Sequence, residues 1–265
     1  MPLLLTGLFE SLYNLTHRRQ SRRHLPKVNT MKNVLSISAD AKTVKGETLG
    51  FLTGILYLAP ATTTKWNTCS MAKIAQCDKA CLYSAGRGAF SSVQQARIAK
   101  TVRFFEERDS FMADVVFSIK SLIRKASKAG LKPLVRLNGT SDIRWETVGL
   151  TVDGVAYANI FDVFPDVQFY DYTKDANRKG LPLNYDLTFS YSGVEGFKPF
   201  VNKAMASGMR MAVVFRSEAS IPASFKGIPV VSGDKSDVRH VDAQGVVVGL
   251  YAKGKAKSDA TGFVV

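Results

Sequence analysis

Cysteine and histidine are scarce in this chain, with three residues of each type among 265. All three cysteines lie between Cys69 and Cys81, whereas a secreted disulfide framework uses an even set of cysteines spread along the chain. This clustering argues against a disulfide-stabilised secreted protein. It predicts a reducing compartment.

Long hydrophobic runs are also missing. No stretch approaches the roughly 20 apolar residues that a membrane-spanning helix needs. The first nine residues are apolar, but they lack a basic lead and a small-residue cleavage site, so no signal peptide is predicted. We therefore expect a cytoplasmic protein that makes no contact with a membrane.

Acidic residues are outnumbered, with 22 Asp and Glu against 36 Lys and Arg, which gives a formal net charge of +14. Such a balance favours a polyanionic partner, DNA or RNA first. Lys120, Arg124 and Lys128 share one face of a predicted helix and offer a positive stripe for that contact. A basic surface that only keeps the protein soluble explains the same composition.

Familiar catalytic motifs are missing too. The chain has no serine nucleophile elbow, no Walker phosphate loop, no HExxH zinc motif and no zinc-deaminase pattern. The hydrolase and nucleotide-binding classes that depend on these motifs are therefore not predicted.

Residues 1–30 differ in composition from the rest of the chain. An apolar start is followed by a run of basic residues that Pro26 interrupts. The segment is interpreted either as a basic arm with little fixed structure or as a translated leader, because Met31 opens a cleaner sequence. Residues 31–265 are predicted to form a single α/β domain.

Two helices and a series of strands are predicted within that domain. Apolar residues recur at helical spacing from Ser91 to Arg108 and from Ser110 to Ala129. Five apolar runs each end in a cluster of small polar residues. These runs are 133–137, 168–170, 185–189, 211–215 and 228–231.

Repeated units of strand and helix predict a parallel sheet, and polar strand ends are typical of a TIM barrel, closed or partial. A doubly wound sheet with solvated loops explains the same pattern. In either fold, the loop that carries the cysteines follows an early strand.

The cysteines are spaced C-x7-C-x3-C, as Cys69, Cys77 and Cys81. Thiolates are ligands for soft metals, and three on one loop can converge without help from distant segments. Zinc requires a fourth ligand, while a [4Fe–4S] cluster with three thiolates leaves one iron open. The spacing therefore favours an iron–sulfur cluster, with zinc or three buried thiols as alternatives.

Polar residues at the predicted strand ends are the candidates for the remaining chemistry. Asp142, Asp171 and Lys174 are the candidate catalytic residues, because carboxylates and amines carry acid–base steps. Gly86 and Gly88 precede a helix start and allow close approach of a ligand backbone or phosphate. The full set of candidate cofactor-binding residues is Gly86, Gly88, Asn138, Tyr172, Ser190 and Asp234.

Several stretches of this sequence resemble the gene product 88 family of phages and plasmids. The resemblance implies a phage or mobile-element origin, and hence the host cytoplasm, and it supplies no activity. It covers about residues 31–265. The stretches that carry it are 67–88, Ala96-Arg97, Arg108, 136–142, 164–166, 170–174 and Gly233-Asp234.

More distantly, a cysteine triplet after the first strand of an α/β barrel is similar to the radical S-adenosylmethionine architecture. That resemblance implies a [4Fe–4S] cluster with S-adenosylmethionine as a further cofactor. The sequence departs from the family in its cysteine gaps of seven and three, and no Gly-Gly-Glu element follows the second strand.

Two functions therefore remain open from the sequence. The first is an iron–sulfur, radical-type enzyme that acts on a small or nucleotide substrate. The second is a nucleic-acid-binding phage protein without catalytic activity, stabilised by Zn²⁺.

Overall fold

The chain alternates strands and helices through residues 31–38 and 41–265, which this computed structural model describes. The predicted arm, residues 1–30, lies outside the described residues. Residues from Lys32 onward form one compact unit.

The strands are β1 (Leu35–Ile37), β2 (Phe51–Leu56), β3 (Lys132–Arg136), β4 (Leu150–Val152), β5 (Val155–Tyr157), β6 (Gln168–Thr173), β7 (Tyr185–Ser190), β8 (Met211–Phe215), β9 (Ser224–Phe225), β10 (Ile228–Ser232) and β11 (Val247–Tyr251). The helices are α1 (Ala41–Glu47), α2 (Ser91–Glu106), α3 (Arg108–Lys128), α4 (Ile160–Val163) and α5 (Lys198–Ala206).

Nine of these strands form one sheet, in the order β1-β2-β3-β6-β7-β8-β11-β10-β9. The seven strands from β2 to β10 in that order pair in parallel, and the edge strands β1 and β9 pair antiparallel. The predicted α/β class with a parallel sheet is therefore confirmed. The barrel form is not confirmed, because no pairing between described strands joins the two edges of the sheet.

One face of the sheet is covered by α2, α3 and α4. Phe111, Ile119 and Leu122 of α3 are fully buried in one cluster with Val135 of β3 and Phe169 of β6. At roughly 25 cal/mol per Å² of buried apolar area, this cluster supplies much of the driving force for folding. The apolar spacing that predicted α2 and α3 is thus the spacing of their buried face.

The segment 233–246 covers part of the opposite face. Its Val238 packs against Leu134 and Tyr170. Its Asp237 accepts hydrogen bonds from Tyr170 at 2.9 Å and from Arg136 at 2.9 Å. A polar loop therefore fills this face of the sheet in place of a helix.

Most predicted boundaries agree with the structure within about two residues. Both long helices are confirmed, and β8 is found at the predicted residues. The predicted end of the third run at Tyr170 is wrong, because β6 continues to Thr173. Its Asp171 stays in the strand by accepting hydrogen bonds from the Asn138 backbone N–H and the Tyr185 hydroxyl.

Among the described residues, the structure has no helix that combines the length and the apolar character required to cross a bilayer.

Candidate functional site

The cysteine loop, residues 57–90, lies across the carboxyl ends of the central strands. The backbone N–H of Asp142, after β3, donates to the Thr68 carbonyl at 2.8 Å. The Ser192 hydroxyl, after β7, donates to the Ala75 carbonyl at 2.9 Å. Because parallel strands end at the same edge of a sheet, these bonds hold the loop over the edge where α/β proteins build their sites.

All three cysteines are free thiols, and all are partly buried. The backbone N–H of Ala61 donates to the Cys69 sulfur at 3.3 Å. Burial raises the pKa of the Cys69 thiol to about 12 and also raises the pKa of Cys77 and Cys81. Cys81 lies near enough to the other two thiols that its charge raises the pKa of both.

The three thiols belong to one site without converging on a single point. Within the part of the chain that the structure describes, no group of three or more His, Cys, Asp or Glu side chains is placed to hold one metal ion. A zinc ion needs its sulfur ligands about 2.3 Å away, whereas a cluster carries each thiolate on a different iron. The chemistry of the donors, three thiols in a partly buried loop, fits an iron–sulfur cluster.

Two buried cations flank the thiols. Lys174 is close enough to Cys77 to oppose the rise in the pKa of that thiol, and Arg97 does the same for Cys81. The Lys174 amine donates to the carbonyl of Ser190 at 2.8 Å, its hydroxyl at 2.9 Å and the carbonyl of Tyr191 at 3.0 Å. Burial lowers the pKa of Lys174 to about 8.

Asp142 joins this group through Lys174. Its carboxylate accepts the backbone N–H of Lys174 at 2.8 Å and lies 3.5 Å from the guanidinium of Arg178. Burial raises the pKa of Asp142, and both of these contacts oppose the rise. The structure thus brings Asp142, Lys174 and Ser190 together beside the cysteines.

Asn138 and Asp171 lie just below that edge and are committed to structural bonds. The Asn138 side-chain oxygen accepts from Ser141, Ile143 and Trp145, and its amide donates to the Ile143 carbonyl. Asp171 is 1% exposed, and burial raises its pKa to about 7. Both residues shape the turn after β3 from within the protein.

The remaining predicted residues lie elsewhere along the edge. Tyr172 donates to Asp237 at 3.2 Å on the face that segment 233–246 covers. Asp234 follows β10 and pairs with Lys253 at 2.7 Å. Gly86 and Gly88 form a short turn before α2, and a Cβ atom on Gly88 would lie 2.8 Å from the Tyr83 carbonyl oxygen.

Three residues of this region were missed as site residues by sequence reasoning: Arg97, Lys100 and Arg178. Arg97 shares a buried helix face with Thr101 and Phe104, at i, i+4 and i+7. A cation at an apolar-face position is a signal that the sequence offered. Arg178 pairs with Glu146 and Asp142 across loops distant in sequence, and no local pattern predicts that contact.

The comparisons with known proteins bear on the whole domain that carries this site. Neither the curated proteins nor the solved structures give a match to the chain, and the predicted likeness to radical S-adenosylmethionine proteins is not shown. The family model described as Gene product 88 matches residues 29–265, which is most of the chain. The cysteine loop and the sheet edge beneath it lie inside the matched range, and the chain belongs to the gene product 88 family.

Proposed function

We propose that Cys69, Cys77 and Cys81 bind a [4Fe–4S] cluster and that the protein is an iron–sulfur enzyme of the radical S-adenosylmethionine type, acting on a small or nucleotide substrate. The observation that carries this proposal is the gathering of three free thiols on one loop over the carboxyl edge of a parallel sheet. When bound, such a cluster supplies an electron and, with three protein thiolates, an iron open to a ligand.

The strand order supports a partial barrel around this site. Strands β2, β3, β6, β7 and β8 lie side by side in the order in which the chain forms them. That is the order of strands in the wall of a β/α barrel. An open sheet of this order, curved by its normal twist, forms part of such a wall with the cysteine loop at its mouth.

The donor set favours a cluster over zinc. Structural zinc takes four protein ligands, and the chain has three cysteines. Burial favours the protonated thiols, so deprotonated ligands need positive charge beside them. Lys174 and Arg97 supply that charge at Cys77 and Cys81.

Lys174 and Asp142 are the residues suited to handle a proton beside the cluster. With a pKa of about 8, Lys174 exchanges its proton readily near neutral pH. Asp142 fixes the backbone of Lys174 and thereby aims its side chain toward Ser190. Asp171, buried below the edge, serves as a positioning residue that holds the Asn138 backbone.

Cysteine substitution tests this proposal. In protein purified without oxygen, we expect visible absorption and bound iron in the wild type and the loss of both in Cys77→Ser. Ser70→Ala, an exposed neighbour in the same loop, is the matched control and should keep both. Iron and colour that persist in a folded Cys77→Ser variant would contradict the assignment. Only a cluster-bearing wild type is worth testing for S-adenosylmethionine cleavage.

The second candidate is a zinc-stabilised protein that binds DNA or RNA without catalysis. The observation that favours it is the exposure of Lys120, Arg124 and Lys128 along α3. Replacing all three by glutamine should weaken binding and flatten its dependence on salt by about one phosphate contact per residue. Lys226→Gln, an exposed lysine outside the helix, is the control. Binding that the triple substitution leaves unchanged rejects the stripe.

A further inference from the structure

The guanidinium of Arg97 is buried without a hydrogen-bond acceptor for two of its nitrogens. The residue is 7% exposed. Its Nε and Nη1 atoms find no partner, and no carboxylate of the described residues pairs with it. A buried donor without an acceptor costs about 1–3 kcal/mol, and more for a charged group. The position is therefore expensive for the free protein.

A second cation stands on the same helix face. Lys100 follows Arg97 by three residues on α2, so the two side chains are neighbours on the helix surface. The Lys100 amine donates to the Val34 carbonyl at 3.3 Å. Burial lowers its pKa to about 8, and the charge of Arg97 lowers it further. Two like charges thus lie together in a poorly hydrated place.

Two tyrosines frame the guanidinium. Its central carbon lies 4.7 Å from the ring centre of Tyr57 and 5.6 Å from that of Tyr83. Aromatic faces stabilise a cation, but they accept none of its in-plane hydrogen bonds. Tyr57, Tyr83 and Lys100 are each only partly buried, so the frame around Arg97 reaches the surface.

We propose that Arg97 and Lys100 form a binding site for a compact oxyanion, a carboxylate or phosphate group carried by a small ligand. The planar guanidinium presents two N–H donors side by side, which matches the two oxygens of such a group. Lys100 adds a second positive charge. The anion offsets the repulsion between the two cations.

A small ligand fits this site better than a nucleic-acid backbone. Arg97 lies beneath the surface, whereas phosphate contacts to DNA come from exposed side chains such as those of α3. Cys81 lies close to Arg97, so a ligand anchored there by its anion extends toward the cysteines. The anion site itself needs no cluster, because both cations belong to the protein.

Anion-dependent stability of the metal-free full-length protein tests the proposal. At constant ionic strength, we expect replacement of chloride by inorganic phosphate or by acetate to raise the unfolding midpoint of the wild type. The anion with the larger rise identifies the class of ligand. A wild type that responds to neither anion overturns the proposal.

Three variants give the test its specificity. Arg97→Met keeps the aliphatic packing of the side chain and should need at least about tenfold more anion for the same rise. Arg97→Lys keeps the charge but loses the paired donors, so its response should fall between the two. Arg124→Met, which removes an exposed cation from α3, should respond as the wild type does.

Two further outcomes are decisive. A folded Arg97→Met protein with the wild-type response overturns the proposal. If Arg97→Met does not fold, the response of Arg97→Lys decides, and a wild-type response there overturns it as well. Iron content measured after cluster loading of each variant keeps this result separate from the cluster proposal, which fails only if iron is not bound.

Discussion

Arg136 and Asp237 form a buried ion pair, with 2.9 Å between Nη1 of the arginine and Oδ2 of the aspartate. The pair joins β3 to segment 233–246, residues 101 positions apart in the chain. The Asp237 carboxylate also accepts the hydroxyls of Tyr170 and Tyr172. It therefore holds the covering segment on the sheet.

Removing Asp237 should destabilise the protein strongly. Asp237→Ala leaves Arg136 buried without its main counter-charge, and such a loss typically costs about 3–5 kcal/mol. Tyr172→Phe removes one hydrogen bond from the same carboxylate and should cost about 1 kcal/mol. The free energy of unfolding in urea measures both. Equal small effects in the two variants would show that the pair contributes little.

Asp171 should make stability fall as pH rises. Burial raises its pKa from 3.8 to about 7, so between these values the folded chain keeps a proton that the unfolded chain has lost. Folding then takes up a proton, and the free energy of unfolding decreases by up to about 1.4 kcal/mol per pH unit. Above about pH 7 the contribution is lost and the slope disappears.

Asp171→Asn isolates this effect, because asparagine resembles the protonated acid and does not titrate. The stability of the wild type minus that of the variant should decline between about pH 4 and pH 7. Chemical unfolding at several pH values measures the difference. A difference that stays constant or grows over this interval contradicts the raised pKa.

Gly139 is a position where the turn after β3 has no room for a side chain. A Cβ atom there would lie 2.5 Å from Cδ1 of Tyr57 and 2.7 Å from Cγ2 of Ile55. Gly139→Ala should therefore cost about 1–3 kcal/mol through overpacking, measured by urea unfolding. Gly149→Ala is the matched control, since its Cβ would meet its nearest neighbour at an ordinary 3.6 Å. A cost no larger at Gly139 than at Gly149 would contradict the crowding.

The elements that the sequence predicted well are those with a local signal. The buried face of α3 recurs at helical spacing, and β8 is a continuous apolar run. Strand β11 was missed, although Val247 and Val248 are fully buried. The glycine after them interrupts the apolar pattern, and the sheet takes this strand between β8 and β10.

The site divides in the same way. The cysteines and the polar ends of β3 and β6 lie near one another because parallel strands share one edge, which sequence order predicts. The commitment of Asn138 to its own turn depends on Trp145 and Ile143, and no spacing rule supplies it. The missing acceptor at Arg97 is likewise visible only when the packing around α2 is known.

The most direct test of the cluster proposal is iron and acid-labile sulfide analysis of the full-length protein purified without oxygen. We expect about four iron and four sulfide per chain, bound through Cys69, Cys77 and Cys81. Zinc without sulfide, or neither metal, in a folded preparation would contradict the cluster.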